Sequence, residues 1–231
     1  MPQLLIVGHG RMGSLVASLA GAYGFDVAGV VTTQNGHRAI ADGVFGHVDV
    51  AIDFTLAEAV PKTLPALAAR GINVVIGTTG WQADEAALRR LVADAGIGVV
   101  SASNFSLGMN LFQLVVSEAA RLFAPQHDFG AWIHEAHHDR KKDAPSGTAL
   151  TLKAGMEQAG FDRAIDVSST RAGSIPGTHA VGFDGPSETI ELTHTVRDRA
   201  VFARGALVAA RWLVGRRGWY GMVDVLRPSI E

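Results

Sequence analysis

The chain contains no cysteine, which excludes disulfides and thiolate metal sites and agrees with a reducing compartment. It also lacks a strong charge of either sign. A formal net charge of −2 provides no global field for nucleic acid or an anionic membrane. No apolar run approaches the roughly 18 residues of a membrane span. The N-terminal apolar stretch breaks at Gly8, too early for a signal peptide. A soluble, cytoplasmic protein with neither nucleic acid nor membrane as partner is the expectation. Hydrophobic residues make up 48% of 231 positions, enough for one large core or two small ones. There is no internal repeat and no low-complexity linker.

Strand-like and helix-like runs alternate through the first half. Gln3–Val7 reads as a buried parallel strand, and Met12, Leu15, Val16, Leu19 and Ala20 then fall at helical spacing. Residues 25–31 and 48–54 read as strands, with 34–46 between them as a loop. Residues 57–70 suggest a helix that Pro61 and Pro65 would split or kink. A strand at 72–76, a helix at 84–95 and a strand at 98–101 follow. This alternation predicts a doubly wound, Rossmann-like α/β sheet. Beyond Asn104-Phe105-Ser106 come helices at 111–123 and near 148–158, and strand-like runs at 178–183 and 188–196. They predict a second α+β domain with an open antiparallel sheet. Residues 200–214 are again helical.

Gly8-His9-Gly10-Arg11-Met12-Gly13 fits G-x-G-x-x-G between a strand and a helix. In a dinucleotide site the first glycine makes the tight turn, the second admits the pyrophosphate, and the third lets helix and strand pack closely. The helix N-terminus then offers unpaired N–H groups to phosphate. An ordinary glycine-rich turn would look the same in isolation. The place where an acid normally grips the ribose reads Val30-Val31-Thr32-Thr33-Gln34. Nothing there repels a 2′-phosphate, and Arg11 or Arg38 is placed to meet one, although either serves equally well as a solvated surface arginine. NADPH, or use of NADPH and NADH alike, is expected. Gly77-Thr78-Thr79-Gly80 ends a strand at the edge where such sheets bind ligands, and suits a nicotinamide ribose as well as it suits a plain turn.

The densest polar segment runs from Glu135 to Thr148 and reads as a loop leaving a buried element at Trp132-Ile133. A histidine here can act as general acid near neutral pH, and Lys141 can hold a carboxylate or supply a proton. Ser146 reads as an N-cap, so Gly147 and Thr148 would form a second anion cradle. A small carboxylated substrate fits these devices. A solvated charged loop is one alternative. Metal ligation by Glu135, His137, His138 and Asp139 is another, set aside because no longer-range ligand spacing accompanies it.

Residues 135–149 resemble the signature E-x-H-H-x-x-K-x-D-A-P-S-G-T-A of the dihydrodipicolinate reductase family at every fixed position. The likeness extends to Gly8–Gly13, to Asp53-Phe54-Thr55, to Gly77–Gly80 and to Ser103-Asn104-Phe105-Ser106. Arg171, Gly173, Gly177 and His179 are similar to its R-x-G…G-x-H stretch. The resemblance implies NAD(P)H-dependent reduction of 4-hydroxy-tetrahydrodipicolinate, a small cyclic dicarboxylate, on the route to lysine. It implies His137 as proton donor and Lys141 as acid or electrostatic partner. His138, Lys141, Ser146, Gly147 and Thr148 would hold the substrate, with no metal. Gly8, His9, Gly10, Arg11, Met12, Gly13, Thr32, Thr33, Gly77, Thr78, Thr79, Ser103, Asn104 and Phe105 would line the cofactor. It further implies a Rossmann-like domain of residues 1–106 and 205–231, a mixed-sheet domain of 107–204 for substrate and oligomer contacts, and a homotetramer. The chain departs from the family at Thr32 and Thr33, where acidic or basic ribose-binding residues are usual.

Overall fold

The computed structural model describes residues 1–32 and 36–227, which form two compact units. The first comprises residues 1–107 and 200–231, the second residues 108–199.

The first unit is built on six parallel strands in the order β10-β5-β4-β3-β1-β2. These are β1 (Gln3–Val7), β2 (Asp26–Val31), β3 (Val50–Asp53), β4 (Asn73–Ile76), β5 (Gly98–Ser101) and β10 (Gly218–Tyr220). The inner strands β1, β3, β4 and β5 are almost wholly buried, as near-continuous Val/Ile/Leu runs require when helices cover both faces. The edge strands β2 and β10 are half-buried or exposed along most of their length. Helices α1 (Arg11–Leu19) and α7 (Ala200–Leu213) share one apolar layer with Leu4, Ile6, Ile52 and Val100. On the other face, α3 (Val60–Ala68) and α4 (Glu85–Ala95) pack Leu64, Leu67, Leu88 and Val92 against Leu5, Ala51 and Val74. The strand order reverses between β1 and β3, and that switch point fixes where a ligand crevice can open.

Two local expectations fail here. The segment expected as a loop contains a short helix, α2 (Gly36–Ala41), because burying Ala39 and Ile40 in the core outweighs a weak local pattern. Pro61 and Pro65 do not split α3. Pro61 occupies the first turn, where no N–H is needed, and Pro65 follows one turn later, so a short helix forgoes little bonding.

The second unit has a four-stranded sheet, β7-β6-β8-β9, made by β6 (Gly130–His137), β7 (Ile165–Arg171), β8 (Thr178–Asp184) and β9 (Thr189–Thr195). The residue pattern alone suggested an antiparallel sheet; it is mixed, because β6 pairs with β7 in parallel. Ala131 and Ile133 of β6 join Val181 and Phe183 of β8 in a core with α5 (Leu107–Phe123) and α6 (Gly147–Gln158). The opposite face carries Trp132, His134, Ala180, Gly182, Glu191 and Thr193, which follow from the pairing registers. Trp132 lies across Gly182 so closely that a Cβ there would meet its ring at 2.1 Å. A last short helix, α8 (Met222–Leu226), follows β10 in the first unit. Among the described residues no helix is long and apolar enough to cross a membrane.

Candidate active site

The glycine loop joins β1 to α1. Gly8 has φ of +98°, and a Cβ there would lie 2.4 Å from the Phe54 carbonyl oxygen. At Gly13 a Cβ would lie 1.9 Å from the Gly8 oxygen. The protein's own packing therefore excludes a side chain at both positions. Gly10 differs, since a Cβ there would meet nothing within 4 Å. It is the N-cap of α1 and makes no side-chain cap bond, so open space stands beside the first N–H groups of the helix. The backbone is bare where a pyrophosphate has to approach, and the cradle fits a dinucleotide.

A cavity of about 870 Å³ opens along this loop at the switch point, with Gly8, His9, Gly10, Thr32, Phe54 and Lys62 among its walls. Arg11 is exposed at the start of α1, Met12 packs partly into the core, and Arg38 is exposed on α2. Thr33 lies outside the described residues. Gly77 is bare for a packing reason, because a Cβ would strike the Phe54 ring at 2.1 Å. Thr79 and Ser103 are exposed. Thr78 is buried and its hydroxyl is engaged by the Asp53 carboxylate at 2.8 Å, so its side chain acts inside the protein. Phe105 is also buried, edge-on to Phe54 at 6.2 Å, and Asn104 accepts the Ser106 N–H at 2.9 Å.

The second unit concentrates charge at the end of β6. The segment expected to be a loop from Glu135 onward is strand through His137. Alternation along β6 points Ala131, Ile133, Glu135 and His137 to one side, which drives a carboxylate into the core. Glu135 is completely buried. One of its oxygens accepts from Arg171 Nη2 at 2.6 Å and from the Ser146 N–H at 3.3 Å; the other meets His137 Nδ1. Burial pushes the Glu135 carboxyl up, but the bonds from Arg171 and Ser169 and the charge of His137 outweigh it and hold the group at about 2. His137 is lowered by burial, which the adjacent Glu135 only partly offsets. His179 stands edge-on to His137 at 5.1 Å, and burial with the neighbouring His137 charge pushes it down to about 4.

Ser146 is the N-cap of α6, as its sequence predicts, accepting the Ala149 N–H at 3.3 Å. Its hydroxyl also lies 3.2 Å from His179 Nε2. Lys141 Nζ donates to both oxygens of Asp143, at 2.8 and 2.9 Å, and the Gly147 N–H also bonds Asp143. Two of the groups expected to hold a substrate carboxylate thus already converge on one carboxylate. Gly147 is exposed and Thr148 half-buried at the helix start. His138, one residue past β6, lies 3.5 Å from Arg199 Nη2.

Glu135, His137 and His179 each bring a possible metal-ligating atom within 4.8 Å of the others. The only carboxylate of the set is already neutralised by Arg171, so the donor chemistry favours a proton-handling cluster over a cation site. Asp139, a ligand in the metal alternative, is exposed.

Comparison with known proteins resolves the family. Residues 2–105 match the family described as dihydrodipicolinate reductase, N-terminus, and residues 108–226 match dihydrodipicolinate reductase, C-terminus. The chain belongs to the dihydrodipicolinate reductase family. It is 40% identical over 239 residues to the 4-hydroxy-tetrahydrodipicolinate reductase of Stenotrophomonas maltophilia strain R551-3, covering 97% of this chain and 98% of that one. With the reductase of the same name from Methanoculleus marisnigri it shares 42% over 193 residues, 77% of this chain and 75% of the relative. In fold it is similar to the dipicolinate-bound dihydrodipicolinate reductase of Paenisporosarcina sp. TG-14, with a TM-score of 0.80 at 21% identity, covering 98% of this chain and 100% of that one. Family membership makes the chain an NAD(P)H-dependent oxidoreductase with a nucleotide-binding Rossmann-like domain.

The sequence singled out His137, Lys141 and the glycine loop as candidates, gave Arg171 and Asp53 no role beyond their motifs, and gave no sign of Arg199, which lies beside His138. Alternation from Ala131 to Glu135 was the available signal that Glu135 points inward and needs a cation.

Proposed function

We propose that the chain reduces 4-hydroxy-tetrahydrodipicolinate to tetrahydrodipicolinate, with NADPH or NADH, in the diaminopimelate route to lysine. The observation that carries this reading is the buried Glu135–His137 pair beside the α6 cradle, in a chain whose two halves both match this reductase family. The reduced nicotinamide, when bound, supplies a hydride; the balance is one proton taken up and one water released. Gly8, Gly10 and Gly13 leave the approach to α1 clear for the pyrophosphate. His137 donates the proton, and a substrate carboxylate raises its proton affinity by opposite charge. Lys141, His138 and the N-terminus of α6 take the carboxylates. For Lys141 and Gly147 this means displacing Asp143, the carboxylate they hold without substrate.

The sheet face bearing Trp132, Ala180, Gly182 and Thr193 supports assembly with further copies, and four is the number the family resemblance implies. The absence of cysteine and the need for a reduced nicotinamide pool support a cytoplasmic location. The test is cofactor oxidation, followed by absorbance, with substrate generated in place from pyruvate and aspartate semialdehyde by the preceding synthase. Oxidation that requires the synthase is expected, and the NADPH-to-NADH rate ratio reports the preference. Folded, cofactor-binding protein that oxidises neither would overturn the reading.

A further inference from the structure

We propose that Glu135 and Arg171 are positioning residues that fix His137 as its Nδ1–H tautomer, leaving Nε2 as the atom that passes the proton to the substrate. The inference rests on the reading of His137 as the acid.

The geometry leaves little choice. Glu135 is wholly buried and both its oxygens are occupied, one by His137 Nδ1 and the other by Arg171 at 2.6 Å and the Ser146 N–H at 3.3 Å. An ionised carboxylate only accepts, so the ring nitrogen facing it must carry hydrogen. A neutral Glu135 would itself be a donor and would favour the opposite tautomer. Burial alone would press the carboxyl toward that neutral form, and Arg171 is the largest influence working against it. Arg171 thereby sets the state of His137 at one remove. It is held for the task, because Nη1 donates to the Thr170 carbonyl at 2.8 Å and Nη2 also donates to the Asp143 carbonyl at 2.6 Å. Parallel pairing of β6 with β7 places Arg171 opposite His137 in register.

Among the described residues, four ionisable groups face His137. Glu135 comes from its own strand, Arg171 from β7, His179 from β8 and Lys141 from the loop after β6. Glu135 is the only anion among them. A Cβ at Gly177 would stand 3.2 Å from His137 Nε2, so a glycine keeps that nitrogen unobstructed on one side. When imidazolium gives its Nε2 proton to the substrate, the Nδ1 proton stays against Glu135. The neutral ring is left ready to be recharged at Nε2 from solvent.

Two-bond proton–nitrogen correlations of the histidine rings test this, with His137 assigned by the signal missing in His137→Gln. The wild-type ring should be Nδ1–H above its titration. In Glu135→Gln the tautomer preference should weaken and the His137 pKa should fall by about 1 unit, the low end of an opposite-charge effect. The alkaline limb of the kcat profile should move down by the same amount, because the acid then loses its proton at lower pH. Arg171→Lys, which keeps the charge but loses the fork, should give a smaller shift. A wild-type His137 with its proton on Nε2 would overturn the proposal, even if Glu135→Gln failed to fold. An unmoved limb in folded Glu135→Gln would overturn it too. Turnover of His137→Gln separates the two readings. If it is lost while the tautomer is wrong, the positioning proposal alone fails; if it is retained, the acid reading fails and the proposal with it.

Discussion

Thr78 donates its hydroxyl hydrogen to Asp53 at 2.8 Å while accepting the Thr55 N–H at 2.7 Å, so two loops at neighbouring strand ends close on one buried carboxylate. Thr63 of α3 donates to the other carboxylate oxygen at 3.0 Å, and the Thr55 hydroxyl to the first at 2.6 Å. Asp53 underlies Phe54, against which Gly8 and Gly77 both pack. The cofactor cradle thus stands on a polar network that has no exposed member at its centre.

Replacing Asp53 by Ala removes the acceptor shared by three threonine hydroxyls. It leaves Thr63 with the Ala59 carbonyl at 3.2 Å, and Thr55 and Thr78 with acceptors at 3.5 Å. We expect a loss of about 2–4 kcal/mol of stability, the range for a broken buried network. Thr78→Val should cost less, about 1–2 kcal/mol, because only one member is lost. Urea unfolding followed by circular dichroism measures both.

Gly10→Ala should separate binding from folding. Its new Cβ meets no protein atom within 4 Å, so the melting temperature should stay near wild type. The methyl instead enters the space expected to hold the pyrophosphate, and cofactor KM should rise at least tenfold. Gly13→Ala, whose Cβ would sit 1.9 Å from the Gly8 oxygen, should lose stability as well.

Acid should destabilise the second unit in two stages. His179 is held down at about 4 against an ordinary 6.5, so between those values the unfolded chain binds the extra proton. Stability from this group is complete above pH 6.5 and is lost as pH falls toward 4. The gap between the two values corresponds to about 3 kcal/mol. Glu135, held at about 2 against 4.5, adds a further loss below pH 4.5 in the same direction. Melting curves across this range should show the slope, and His179→Gln should flatten its upper half.

His137→Gln should lower kcat by about 10²–10⁴-fold, the contribution of a positioned general acid, with cofactor affinity retained. Lys141→Ala should both lower kcat and raise substrate KM, since Lys141 is asked to hold a carboxylate and to stabilise charge. Steady-state kinetics on folded variants distinguishes these patterns.

Five of the six strands of the first unit were legible because they are short and apolar and the glycine loop punctuates them; β10, three half-buried residues, Gly218–Tyr220, at the sheet edge, was not. Elements that depend on tertiary contact were not. β7 reads Ile-Asp-Val-Ser-Ser-Thr-Arg, an edge strand whose exposed serines and threonine resemble a loop. α2 has two turns and gains its helix from burying Ile40. At the candidate site, residue identity singled out the side chains able to carry chemistry but not their partners. Glu135 finds Arg171 36 positions away because β6 and β7 lie side by side, a pairing no local pattern encodes.

Transfer of deuterium tests the central claim most directly. Protein given reduced cofactor deuterated at the nicotinamide C4 position, with substrate made in place by the synthase, should yield tetrahydrodipicolinate carrying that deuterium from one of the two cofactor faces. Product that forms without label from either face, or labelled cofactor that stays unconsumed by folded protein, would contradict the account.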